Sequence, residues 1–400
     1  MRFRFPIWRL CAVLTTVLAV LCTDACTDAT SSPSVQALPL PAELRDPRIR
    51  ALLADYERYF ADSMLLTQTP GAAVVIVKDS AVIFQRGYGV KSAGTADSVD
   101  INTVFRIGSL SKGFAGVLSG MLVEEGQLQW DDRVVRYVPE FALSSPGQTR
   151  EIQLHHLLSH TTGLPYHAYT NMIEAGYDLR AIAALFARLP LHGKPGEIYS
   201  YQNAVFSLAG EAIQAAAGKT YPQVLTEKIF RPAGMNTASA DWESIQMNPN
   251  KALPHHFTQM GWLPDTISTR YYNAAPAGGV NASISDMGQW LRVLLGYRPD
   301  IVSANTLNDV FRPVIRTYQE RRYFRAWPGK REAYYALGWR VLVNGQDTIV
   351  CHGGAVNGFR GEIAIDRKNG IAICALFNAA TDLPGLCIPA FFERYRKYWK

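Results

Sequence analysis

The sequence predicts an α+β fold, mixed α/β in content, in which one antiparallel β-sheet flanked by helices carries an inserted all-helical domain. Three observations lead there. Short runs rich in Val, Ile and Ala cluster at residues 70–90 and 335–380, toward the two ends of the chain. The stretch between them, about 104–300, places its apolar residues mainly at helical spacing. A tight turn, Lys368-Asn369-Gly370, joins two C-terminal runs and makes them antiparallel neighbours. Strands at both ends with helices between imply terminal segments that share one sheet.

The elements follow in order. Arg2, Arg4 and Arg9, the apolar run Leu10 to Cys22 and the small polar stretch after it have the three-part pattern of an export signal. A span needs about 20 apolar residues, so this run is too short to cross a membrane unaided. The expectation is a signal peptide over 1–29, cut near Ala25 or Ala29, and an exported, periplasmic or extracellular protein. A lipid anchor at Cys22 or Cys26 is the alternative, although neither has a Leu-Ala-Gly type approach, and it would be the one membrane contact. Residues 30–42, rich in Ser, Pro and Ala, read as a tether, and 43–400 as the folded domain.

Within that domain, Ile49, Leu52, Leu53, Tyr56, Tyr59 and Phe60 recur at helical spacing over Asp46 to Leu65. Strands are expected at Ala72 to Val77 and Ala81 to Gly87, joined through Lys78-Asp79-Ser80. Helices follow at Ala115 to Glu125, Ala181 to Leu189 and Asp286 to Leu295, the last with Ser285 as its N-cap. Thr348 to His352, Gly361 to Asp366 and Ile371 to Asn378 read as strands, and Leu386 to Tyr398 as a closing helix.

Composition narrows the function. The 400 residues are 48% hydrophobic and 18% charged, an ordinary globular balance rather than a disordered one. The formal charge of +6 is scattered, and three of the arginines sit at the extreme N-terminus. A nucleic-acid face needs clustered Lys and Arg on one element, so nucleic acid is not an expected partner. Cleavage near Ala29 would leave Cys351, Cys374 and Cys387. With no CxxC pair or His/Cys cluster there is no zinc signature, and no metal or organic cofactor is expected. Buried free thiols, or one disulfide plus one free thiol, both fit.

Chemistry centres on Ser109-Leu110-Ser111-Lys112 at the head of an apolar helical run. Residues three apart on a helix share a face. A serine hydroxyl needs a base, and a lysine can serve if burial or a neighbouring charge lowers its pKa. About one or two S-x-x-K strings arise by chance in a chain this long, so the partners decide. Tyr201-Gln202-Asn203 offers a phenol that can relay a proton and a carboxamide that can hydrogen-bond a substrate amide. His352-Gly353-Gly354 at the end of an apolar strand, followed by Ala355, offers a backbone open to close approach. The N–H groups of Ser109 and Ala355 can then form an oxyanion hole.

Taken in this order, the three elements resemble the β-lactamase-related serine hydrolases, which include class C β-lactamases, DD-peptidases, D-aminopeptidases and esterases. The resemblance runs from about Leu65 to Lys400. It includes Phe105 to Phe114, Leu157-Leu158-Ser159-His160-Thr161-Thr162-Gly163-Leu164-Pro165 and Pro276-Ala277-Gly278-Gly279. It implies a β-lactamase/transpeptidase-like fold, with Ser109 as nucleophile and Lys112 and Tyr201 as the proton-handling pair. Asn203, His352, Gly353 and Gly354 would bind substrate, and the amides of Ser109 and Ala355 would hold the oxyanion. His160 would brace the site, and Asp131 and Asp132 would cap turns.

One departure bears on substrate. Class C β-lactamases carry Lys-Thr-Gly on this strand, where the present chain has His352-Gly353-Gly354. A lysine keeps a charge for a substrate carboxylate, whereas a neutral histidine only hydrogen-bonds. One or more of Arg316, Arg321, Arg322 and Arg325, in the Arg-rich and aromatic stretch 312–330, is the expected substitute. The expected function is a DD-peptidase or D-amino-acid peptidase acting on a small peptide or amide, cell-wall peptide or β-lactam among them. A carboxylesterase, a class C-like β-lactamase and a non-catalytic penicillin-binding module are the alternatives.

Overall fold

The computed structural model describes residues 41–329, 331–345 and 347–399. The expected signal peptide and most of the tether lie outside the described residues. One sheet contains β1 (Gly71–Lys78), β2 (Ala81–Gly89), β3 (Ile315–Arg316), β4 (Glu332–Tyr335), β5 (Arg340–Asn344), β6 (Asp347–Val356), β7 (Phe359–Asp366) and β8 (Ile371–Phe377). Its spatial order is β2-β1-β8-β7-β6-β5-β4-β3, antiparallel throughout. The N-terminal hairpin therefore docks on the last strand of the chain, with Val75 opposite Cys374.

β1 shows why the sheet needs cover on both sides. Ala73, Val75 and Val77 enter one apolar core, while the alternate residues Ala72, Val74 and Ile76 enter the other. Five longer helices matter here: α1 (Pro47–Leu66), α2 (Ser111–Glu124), α3 (Asn203–Ala217), α4 (Ile284–Leu294) and α5 (Pro384–Trp399). α1 starts where the Asp46 carboxylate accepts the Arg48 N–H at 2.8 Å and Pro47 presets the first turn. Its apolar stripe packs with α5 over one face of the sheet, Tyr56 meeting Phe391 edge-on at 5.2 Å.

The opposite face carries α4 and the helical region. α2 is apolar almost all round and buried from Ser111 to Leu122, as suits a central helix. Phe114 on α2 stacks on Trp290 of α4 at 4.3 Å. The chain entering β5 crosses α2 so closely that a Cβ on Gly116 would stand 2.1 Å from the Leu337 carbonyl oxygen. Only glycine allows that contact without moving backbone.

Several boundaries differ from expectation. The helix expected at Asp286 starts at Ile284, and its cap is Ser283 rather than Ser285. Ser283 Oγ accepts the Asp286 N–H at 3.2 Å while the Asp286 carboxylate accepts the Ser283 N–H at 3.0 Å, a reciprocal pair open to the residue three before the aspartate. Ser285 bonds Asn102 instead. His352-Gly353-Gly354 lies inside β6, which continues to Val356, because β7 keeps pairing with it as far as Phe359. β3, β4 and β5 escaped the sequence reading; β3 has two residues, too few to show alternation. The stretch 104–300 also holds two small β-pairs, Val104–Arg106 with Asn281–Ser283 and His255–Thr258 with Gly261–Pro264. Cys351, Cys374 and Cys387 are all free and buried.

Gly116→Ala should cost about 1–3 kcal/mol of stability through overpacking against fixed backbone. Gly385→Ala, where a Cβ would meet nothing within 4 Å, is the control. Urea titration followed by circular dichroism measures both.

Candidate active site

The turn that opens α2 sets the first part of the site. Ser111 is buried and its hydroxyl is already used, donating to the Gly108 carbonyl at 2.6 Å and accepting from the Val280 N–H at 3.0 Å. Ser109 is partly exposed. Of the two serines in the motif, one pins the turn and the other faces the cleft.

One helical turn on, Lys112 is fully buried. Its Nζ lies 2.8 Å from Asn203 Oδ1, 2.8 Å from the Ala277 carbonyl and 3.3 Å from Ser109 Oγ. Two of these neighbours can only accept, and the third can also donate. A neutral amine has two N–H bonds and one lone pair, so giving the N–H bonds to Asn203 and Ala277 leaves the lone pair for the serine proton. Burial first, and then the nearby Arg340 guanidinium, hold the lysine pKa well below its ordinary range.

Tyr201 packs beside this group, with Lys112 Nζ 4.8 Å from its ring centroid. Burial pushes its pKa up to about 12, against the opposing pull of Arg340 and Ser109, so the phenol keeps its proton at neutral pH. His160 braces this loop, as expected. Its Nδ1 accepts the Gln202 N–H at 3.2 Å, its carbonyl accepts the Ser200 N–H at 2.9 Å, and its ring lies 4.3 Å from that of Tyr201. Asn203, the first residue of α3, turns its amide oxygen to Lys112 and its Nδ2 to the Tyr271 hydroxyl at 3.3 Å. It holds the lysine in place. Asp132 caps the Gln129 N–H at 2.8 Å.

β6 closes the other side at backbone range. A Cβ on Gly354 would stand 2.1 Å from the Ile107 carbonyl oxygen, and one on Gly108 would stand 2.8 Å from the Ala355 nitrogen. The absent side chains let the strand lie directly on the serine turn, which brings the Ala355 and Ser109 amides to the same end of the cleft. Gly353 faces the other way, toward Glu362 and Tyr323.

His352 differs from its expected place as a wall that substrate touches: its ring is fully buried. Nδ1 lies 2.8 Å from the Gly353 carbonyl, which can only accept, so that nitrogen carries the proton. Nε2 then accepts from the Tyr335 hydroxyl at 2.9 Å and from Arg340 at 3.1 Å. Burial, Arg340 and Lys112 depress its pKa strongly, so the ring is neutral.

The arginine expectation is corrected as well. Arg321 lines a cavity of 240 Å³ with Arg316, Trp327 and Leu342, and the last two belong to the core on the α1–α5 face, away from Ser109. Arg325 is exposed. The arginine at the site is Arg340 of β5, paired with Glu320 through two hydrogen bonds of 2.9 and 2.7 Å. Glu320 also accepts from Tyr199 at 2.8 Å. Sequence reading missed Arg340, Glu320, Tyr271, Tyr335 and the Ala277 carbonyl. The Pro276-Ala277-Gly278-Gly279 string of the family resemblance is the sequence signal beside one of them. Among the described residues, no group of His, Cys, Asp and Glu is placed to hold a metal.

Known proteins match this arrangement over most of the chain. An unguisins hydrolase, ungD', of Aspergillus campestris is 29% identical over 324 residues, covering 77% of this chain and 58% of that protein. Protein flp of Staphylococcus aureus is 26% identical over 316 residues, covering 77% and 59%. The chain thus spans about three fifths of the length of these curated relatives. The octameric penicillin-binding protein homologue from Pyrococcus abyssi superposes with a TM-score of 0.73 at 24% identity, covering 87% of this chain and 78% of that one, and shares the fold. Residues 54–390 match the Beta-lactamase family, and the chain belongs to that family of serine hydrolases.

Proposed function

We propose that this protein is an exported hydrolase that opens an amide or peptide bond of a small peptide, in the manner of a D-amino-acid peptidase, through an acyl-enzyme on Ser109. The observation that carries the reading is the three-way setting of Lys112 Nζ between Asn203 Oδ1, the Ala277 carbonyl and Ser109 Oγ. Export rests on the N-terminal sequence pattern. A hydrolase named for unguisins among the relatives is consistent with a peptide substrate.

In this mechanism the neutral Lys112 takes the Ser109 proton as Oγ attacks the carbonyl carbon. The carbonyl oxygen becomes an oxyanion between the N–H groups of Ser109 and Ala355. Collapse breaks the bond to the leaving nitrogen, which receives a proton from the Tyr201 phenol, replenished from Lys112. Water, deprotonated by the same pair, attacks the ester; the carbonyl re-forms and Ser109 leaves with its proton restored. A carboxylesterase is the second reading, favoured by the neutral His352.

Ser109→Ala should abolish turnover and the covalent adduct seen by intact mass, with the circular dichroism spectrum unchanged. Lys112→Ala should slow acylation by about 10²–10⁴-fold, the usual worth of a positioned proton acceptor. Wild-type rates in either variant would overturn the assignment.

The pH profile offers a separate check. Only neutral Lys112 accepts the proton, so kcat/KM should rise with pH as the ammonium form is lost. Arg340 disfavours that ammonium, so the double variant Arg340→Gln, Glu320→Gln should raise the lysine pKa and move the acid limb of kcat/KM to higher pH. An unmoved limb would assign it to another group.

A further inference from the structure

We infer that the cavity lined by Arg321, Trp327 and Leu342, on the face of the sheet away from Ser109, is a second binding site, for a small aromatic acid taken up as its monoanion. None of the residues around it belongs to the catalytic site. Two buried polar side chains there lack partners, and they stand beside an apolar wall of matching size.

The central group is Arg331, just before β4. Its Nε donates to the Pro328 carbonyl at 2.9 Å, but Nη1 and Nη2 are buried with no hydrogen-bond partner among the described residues. Thr317 lines the same cavity, is buried, and has no partner for its Oγ1. A buried donor left unpaired is costly, and a charged one more so. Water could accept these N–H and O–H groups but would leave the charge. A carboxylate does both, because its two oxygens match the fork of a guanidinium.

The charges nearby leave this cation unmatched. Arg316, also in the lining, is paired with Glu332 at 2.7 Å and lies over the Tyr318 ring at 4.9 Å. From other elements, Arg396 of α5 adds a like charge, and Asp347 of β6 and Asp366 of β7 act on Arg331 more weakly. Asp347 is paired with Lys368 at 3.3 Å, and Asp366 accepts from Asn369 at 3.0 and 2.8 Å. Burial first, and then Arg396, hold the Arg331 pKa below its ordinary range, as for a cation without a close counter-ion. Arg321 adds a further, exposed positive charge.

Size and lining select the rest of the ligand. The cavity measures 240 Å³, and about 150 Å³ is room enough for a benzene ring. Phe324, Trp327 and Leu342 supply an apolar wall, with the Arg331 guanidinium carbon 5.9 Å from the Trp327 ring centroid. A flat ring takes that wall while its carboxylate takes the donors of Arg331 and Thr317. One buried cation matches one negative charge; the second charge of a phosphate monoester would meet Glu332, which also lines the cavity.

Isothermal titration calorimetry with benzoate, and with benzamide as its neutral isostere, tests the site. Wild-type protein should bind benzoate with a Kd below about 1 mM and benzamide at least about 10-fold more weakly. Arg331→Gln should weaken benzoate binding by about 10-fold or more, and benzoate should raise the Tm of the wild type but not of this variant. Ser109→Ala should bind benzoate as the wild type does. A wild-type Kd above about 1 mM, equal affinity for benzamide, or undiminished binding by folded Arg331→Gln would overturn the inference. Loss of binding in Ser109→Ala would place the acid in the catalytic cleft and overturn it too. Should Arg331→Gln fail to fold, Ala333→Phe decides, because it fills the cavity and keeps every cation: benzoate binding should be lost, and retained binding would refute the site.

Discussion

The rest of the site depends on one burial, that of the Lys112 amine at the head of an apolar helix. An ammonium there would give up its hydration, and the protein offers two neutral acceptors and a hydroxyl rather than a carboxylate. The cheapest state for the nitrogen is uncharged, and an uncharged lysine one turn from a serine is a base. The same low-dielectric surroundings keep Tyr201 protonated. One physical cause thus sets two groups in opposite protonation states, an acceptor and a donor on either side of Ser109.

Fixing those groups falls to contacts that mostly end on the backbone. The serine turn is tied by Ser111 to Gly108 and Val280, the Tyr201 loop to His160, and β6 is laid against the turn across Gly108 and Gly354. Groups held by main-chain packing reorganise little when charge develops, which is the condition for strong electrostatic stabilisation. Behind them Arg340 and Glu320 form a buried pair that orients His352, Tyr199 and Tyr201. Such a pair gains little stability over an apolar filling. Its contribution is a defined arrangement of the wall facing the nucleophile.

Sequence alone determined a good deal. The apolar β-branched run of β1, the helical spacing of α1 and the Lys368-Asn369-Gly370 turn are local patterns, and they emerged within a residue or two of the observed elements. The Ser109-x-x-Lys112 spacing places two side chains on one helix face in any fold that keeps the helix. Tyr201, Asn203 and Ala355 were legible because their order along the chain matched a known constellation. What tertiary structure alone decided is what depends on distant partners. Ser283 displaced Ser285 as the cap because the whole turn, rather than the nearest serine, fits Asp286. His352 sank into the sheet because β7 pairs past it. Arg340 reads in sequence as any strand-end cation, and its meaning comes from Glu320, twenty residues earlier on another element. The Ala277 carbonyl has no side-chain signature at all. The charge state of Lys112 belongs with these, because a pKa is set by the solvent excluded and the charges brought near, and both are products of the completed fold.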